Sequence, residues 1–120
     1  MAVMSIVYIA VAVHLALLAV ASGVAKLRRT PHVVKSINEI ARVPMKWFPW
    51  LAACEFAGAA GLLLGIAVVP VGLAAAVGLV LYFLGAIVAH ARVGDFKGIG
   101  APAFPFGLAV ACLVTRILSA

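Results

Sequence analysis

Trp50-Leu51-Ala52-Ala53-Cys54-Glu55-Phe56-Ala57-Gly58-Ala59-Ala60-Gly61-Leu62-Leu63-Leu64-Gly65 decides how this chain folds. The run is apolar, rich in small residues and long enough to sit in lipid, yet it carries one carboxylate, Glu55. An ionisable group inside a membrane span costs at least a few kcal/mol unless it is paired, hydrated or neutralised. The segment therefore predicts both a membrane helix and a partner for Glu55 elsewhere in the chain.

The rest of the sequence has the same character. Of its 120 residues 68% are hydrophobic and 10% charged, whereas a soluble domain has about half and about a quarter. So little polar material cannot cover a soluble core, and at roughly 20 apolar residues per span the chain holds four membrane helices and little else. The predicted fold is all-α, an integral membrane four-helix bundle forming a single membrane domain over 1–120. Its spans are expected over about 3–25, 48–69, 71–91 and 102–118. The first apolar run has no basic residue before it, so it reads as a retained span and not as a cleaved signal. Trp47 and Trp50 open the second span, where tryptophan anchors at the head groups.

Between spans one and two, Thr30-Pro31 starts a short helix. Val33, Val34, Ile37, Ile40 and Ala41 then recur opposite Lys35, Ser36, Asn38, Glu39 and Arg42. This pattern predicts an amphipathic interfacial helix over about 31–42, stopped by Pro44.

The net charge of +6 comes mainly from Lys26, Arg28, Arg29, Lys35, Arg42 and Lys46, with Arg92 and Lys97 in a second loop. Only Arg116 lies toward the opposite side. Such a bias orients spans, placing both basic loops in the cytoplasm and both termini outside. The expected location is a bacterial-type inner (plasma) membrane, crossed several times. Nucleic acid is not an expected partner, because no basic helix carries interleaved aromatics. Cys54 and Cys112 lack metal or redox spacing and read as small buried hydrophobes, and no metal is expected.

The polar residues of the spans converge on one end. Lys26 closes span one with Ser22 a turn before it, Glu55 lies early in span two, and His90 closes span three. Glu55 is expected to accept from Lys26 or His90, and a Glu–His contact can exchange a proton near neutral pH. Glu55 and His90 are therefore candidate proton-handling residues, and Ser22, Lys26, Glu55 and His90 a candidate ligand-binding set. His14 joins that set because His14, Leu18, Ser22 and Lys26 are each four apart, which predicts a stripe facing into the bundle. As haem ligands His14 and His90 are set aside, since they fall at different depths.

Three motifs, Ser22-Gly23-x-x-Lys26-Leu27, Glu55-x-x-Gly58-x-x-Gly61-Leu62 and Gly85-Ala86-x-x-x-His90, together resemble the DoxX-like family of small four-helix membrane proteins. The resemblance covers nearly the whole chain and matches Ser22, Lys26, Glu55 and His90 to the family's recurring polar positions. It implies an inner-membrane bundle associated with quinone-linked oxidoreductases or oxidative-stress complexes, or an assembly factor. Three function classes follow. The first binds a small amphiphile, such as a quinone, in a polar intramembrane pocket within a redox-linked complex. The second is an intramembrane acid–base enzyme, of isomerase or cyclase type, acting on a lipid-soluble substrate. The third is an assembly or interaction subunit using the Gly61-x-x-x-Gly65 and Gly78/Gly85 faces against a membrane partner subunit or a homo-oligomer.

Overall fold

The computed structural model describes residues 2–120. Four long helices carry the chain: α1 (Ala2–Leu27), α3 (Phe48–Leu64), α4 (Val69–Ala91) and α5 (Gly100–Ser119). A short helix, α2 (Pro31–Val33), runs into a π-helical turn over Val34–Ile40, and a 3-10 turn over Met45–Trp47 leads into α3. No strand occurs among the described residues. All four long elements, α3 counted with its leading 3-10 turn, are long and apolar enough to cross a membrane. The molecule is 45 Å along its longest axis, which matches a bilayer including its head groups.

The helices pack as a four-sided ring, α1 against α3, α3 against α4, α4 against α5, and α5 back against α1. Tyr8, Leu15, Leu62, Leu79, Phe83 and Cys112 fill the centre, with Ala12, Ala76 and Ala109 allowing close approach. The large apolar residues that remain, such as Ile6, Leu17, Leu81 and Val88, face outward. That inversion is the arrangement a lipid solvent demands. Trp47 and Trp50 are exposed at one end of α3, where indole rings suit the membrane interface.

Glycine permits the α3–α4 packing. A methyl group at Gly65 would collide with the Cα of Gly72, and one at Gly61 would lie 2.7 Å from the Cβ of Ala75. Within the chain both Gly61 and Gly65 serve the α3–α4 packing. Gly78 and Gly85 have open space around them.

Both inter-helix loops at the Lys26 end begin with the chain turning back on itself. After α1, Arg29 takes a left-handed conformation (φ 50°), and the amide of Thr30 bonds to Ala25 O. After α4, Gly94 does the same (φ 74°), and the amide of Asp95 returns to His90 O at 3.0 Å. This closure satisfies carbonyls that a helix end otherwise leaves free. The two loops then meet, because the Arg92 guanidinium donates to Ala41 O at 2.7 Å.

Over 31–42 the structure winds as α2 plus the π turn, closed by Ala41 N to Ser36 O and by the Asn38 side chain donating to Val43 O. Ile40 is exposed there and Ala41 buried. The apolar repeat is thus not carried by one regular α-helical face. α5 begins at Gly100 and runs through Pro105, whose ring is accommodated within the helix.

Candidate functional site

Glu55 is fully buried. Its Oε1 lies 2.6 Å from Lys26 Nζ and accepts a 2.7 Å hydrogen bond from the Tyr82 hydroxyl. Lys26 Nζ also donates to Ser22 Oγ at 2.7 Å. Three helices therefore converge on one carboxylate oxygen: α1 brings Lys26 and Ser22 from a single turn, α3 brings Glu55 and α4 brings Tyr82. Glu55 Oε2 is buried with no hydrogen-bond partner among the described residues. An unpaired acceptor at such depth is costly and calls for an explanation.

Beside this cluster lies a cavity of about 580 Å3, within the range of small-molecule sites. Its walls come from all four long helices and from the α2 region. Leu18, Ile37, Leu51, Phe83 and Phe104 give it an apolar body, while Ser22, Lys26, His32, Ser36, Tyr82 and His90 supply polar groups. Glu55 stands behind Lys26 and Tyr82 and does not itself line the space.

His90 is placed otherwise than the spacing predicts. Its Nδ1 is 2.8 Å from Asp95 Oδ2, and no hydrogen bond joins it to Glu55. The turn at Gly94 is the cause: it folds the loop back so that a carboxylate five residues on reaches the ring. His14 is a second correction. It is exposed, and its ring nitrogen faces Ala10 O of its own helix at 3.3 Å. At 3.6 residues per turn a four-residue spacing advances about 40° each step, so His14 and Lys26 end about 120° apart on α1. Cys54 is a third, since it is exposed on the outside of α3 while Cys112 is buried as expected.

Tyr82, like Asp95, is a site residue that motif spacing missed. A tyrosine within an apolar span has a hydroxyl that needs a partner, and that requirement was the available signal. A second polar group sits at the other end of the bundle. Arg116 donates to Gly65 O at 3.0 Å and stacks over the Tyr8 ring at 4.9 Å, while Tyr8 donates to Leu62 O at 2.7 Å. There the guanidinium meets the C-terminal carbonyls of α3, where positive charge is favoured.

A different space opens on the outer surface between α3 and α4, about 830 Å3 and lined by Cys54, Gly58, Gly61, Val71 and Gly78. It holds no charged group.

Compared with known protein families, the chain matches the DoxX-like family over residues 10–114. The chain belongs to the DoxX-like family. None of the curated proteins and none of the solved structures matches it. With its four apolar helices, this DoxX-like protein is a multi-pass membrane protein.

Proposed function

We propose that this DoxX-like protein binds a small amphiphile, such as a quinone head group with an apolar tail, in the cavity beside the Lys26–Glu55 pair. The observation that carries the reading is the cavity's construction. An apolar body built from four membrane helices ends on Lys26 and Tyr82, and both of these hold Glu55. A head group touching either one changes the hydrogen bonding of a buried carboxylate that already has a spare oxygen. Ser22, Lys26 and His90 supply contacts, and Glu55 serves as the proton-accepting reserve. A place in a redox-linked complex rests on the family resemblance.

In this reading both basic loops face the cytoplasm and both termini lie outside, in a bacterial-type inner membrane. The contact of Arg92 with Ala41 supports a common side for the two loops, and their positive charge favours the cytoplasmic one. The α2 region then lies at that interface.

A long-chain quinone titrated into protein in lipid nanodiscs tests the proposal through quenching of Trp47, which lines the cavity. Saturable quenching is expected, weakened about tenfold or more by Glu55→Gln, a loss near 1.4 kcal/mol. Quenching that rises linearly and equally in both proteins would be simple partitioning into lipid and would defeat the reading. The unpartnered Oε2 favours a second reading, acid–base catalysis on a lipid-soluble substrate; product formation by the purified protein alone would select it.

A further inference from the structure

At the loop end of the cavity, His90 and Asp95 form a carboxylate–imidazole pair that is independent of Glu55. Asp95 Oδ2 lies 2.8 Å from His90 Nδ1, and Asp95 Oδ1 accepts the amide of Gly98 at 3.1 Å. Both carboxylate oxygens are therefore occupied, and the carboxylate cannot swing away without losing one of them. The pair is held tightly. A methyl group at Gly98 would stand 2.6 Å from His90 Nδ1, so only glycine leaves room for the contact. Arg92 does not compete for Asp95, because its guanidinium is turned onto Ala41 O and Arg42 O.

An ionised carboxylate only accepts, so Nδ1 must carry a proton. In the neutral ring the other nitrogen, Nε2, then presents a lone pair. Nε2 makes no hydrogen bond among the described residues. Nor does it fall with Glu55 Oε2 and Arg116 Nε, the buried side-chain atoms without a partner. It therefore keeps some accessible surface without a partner among the described residues, and His90 lines the cavity.

We infer that His90 Nε2 accepts a hydrogen bond from a hydroxyl group of the cavity's occupant, with Asp95 as the positioning residue that fixes the ring's tautomer. This rests on the amphiphile reading of the same cavity and narrows the occupant to a hydroxyl-bearing head group. A phenol or hydroquinone meets the lone pair with an O–H. The oxidised quinone of the same size meets it with another lone pair.

The test uses the full chain in lipid nanodiscs at neutral pH, with two probes, an alkyl hydroquinone kept reduced and the oxidised quinone with the same tail. The wild type is expected to bind the hydroquinone about tenfold more tightly, equivalent to about 1.4 kcal/mol. Solid-state 15N spectra of the labelled histidines are expected to show Nε2 of His90 unprotonated. Asp95→Asn offers an amide N–H to Nδ1, moves the ring proton to Nε2 and erases the preference for the reduced probe. A protonated Nε2 in the wild type overturns the inference without recourse to any variant. So does equal binding of the two probes, or a preference unchanged in Asp95→Asn. If neither probe binds the wild type, the amphiphile reading falls and this one with it; equal binding of both removes this one alone.

Discussion

Lys26 Nζ and the Tyr82 hydroxyl both address the same oxygen of Glu55, at 2.6 and 2.7 Å, leaving the other oxygen buried and without a partner among the described residues. The carboxylate is thus held from two sides by two helices. Its energetics should be dominated by the charge pair, because removing one partner from a buried pair strands the other without compensation. Lys26→Met is expected to destabilise the fold by about 3–5 kcal/mol. Glu55→Gln should cost less, since the amide oxygen still accepts from both Lys26 and Tyr82 and Lys26 keeps its bond to Ser22. The double substitution Lys26→Met/Glu55→Leu should recover much of the loss. Equilibrium unfolding in mixed micelles measures all three, and a double variant no better than Lys26→Met would remove the pair from its central place.

Tyr82→Phe isolates the second contact. Phenylalanine keeps the edge-to-face packing on Phe83, whose ring lies 5.0 Å away at 89°, and removes only the hydroxyl. A hydrogen bond to a charged group contributes about 1.5–3 kcal/mol, so a loss of that size is expected. A loss below about 0.5 kcal/mol would mean that Glu55 finds another donor once Tyr82 is gone.

Of these residues, the Lys26–Glu55 pair was legible in the sequence for a simple reason. Lipid supplies no solvent for a stray charge, so two opposite charges at one end of adjacent spans must meet. The helices were legible on the same ground, as apolar runs punctuated by Lys26-Leu27-Arg28-Arg29, Pro70 and the Arg92–Gly98 loop. His90 was misplaced because its partner is set by the backbone turn at Gly94, and depth along the span does not encode a turn. His14 failed because a four-residue stripe drifts around α1, and three steps carry it to the lipid face. Tyr82 escaped notice because aromatic residues in spans serve so often as packing, and its value shows only once α3 and α4 are docked. The role of Gly61 and Gly65 depends on that same docking. A small-residue face is equally suited to a partner in another chain or in its own.

That docking predicts a contrast between two glycines. Gly65→Ala forces a methyl into Gly72 and toward the Tyr8 hydroxyl, both part of packed walls, and overpacking of this kind costs about 1–3 kcal/mol. Gly78 has nothing within 4 Å of an added Cβ, and alanine there gains up to about 1 kcal/mol in helix propensity. Thermal unfolding of both variants in detergent checks the pair of signs. A destabilising Gly78→Ala would reveal that this face is covered, as the assembly reading requires.

The two loop turns give the last contrast, because they solve one backbone problem with different residues. Arg29 and Gly94 both take positive φ, 50° and 74°, where a Cβ is crowded by the following carbonyl, at about 1–2 kcal/mol for an ordinary residue. Gly94 avoids that strain and Arg29 bears it. Arg29→Gly is therefore expected to stabilise the protein by up to about 1 kcal/mol, less whatever the basic side chain contributes at the membrane surface. Gly94→Ala should destabilise by about 1–2 kcal/mol, although a methyl there meets no neighbouring atom. The two changes differ in a further respect. Gly94 sets the turn that returns Asp95 to His90, whereas Arg29 lies in the other loop. Gly94→Ala should consequently loosen the Nδ1–Oδ2 contact and move the 15N resonances of His90, and Arg29→Gly should leave them in place. If both variants shift stability as stated while neither touches the His90 signals, Asp95 is held by Gly98 and the packing around it, and the turn is not what aims it.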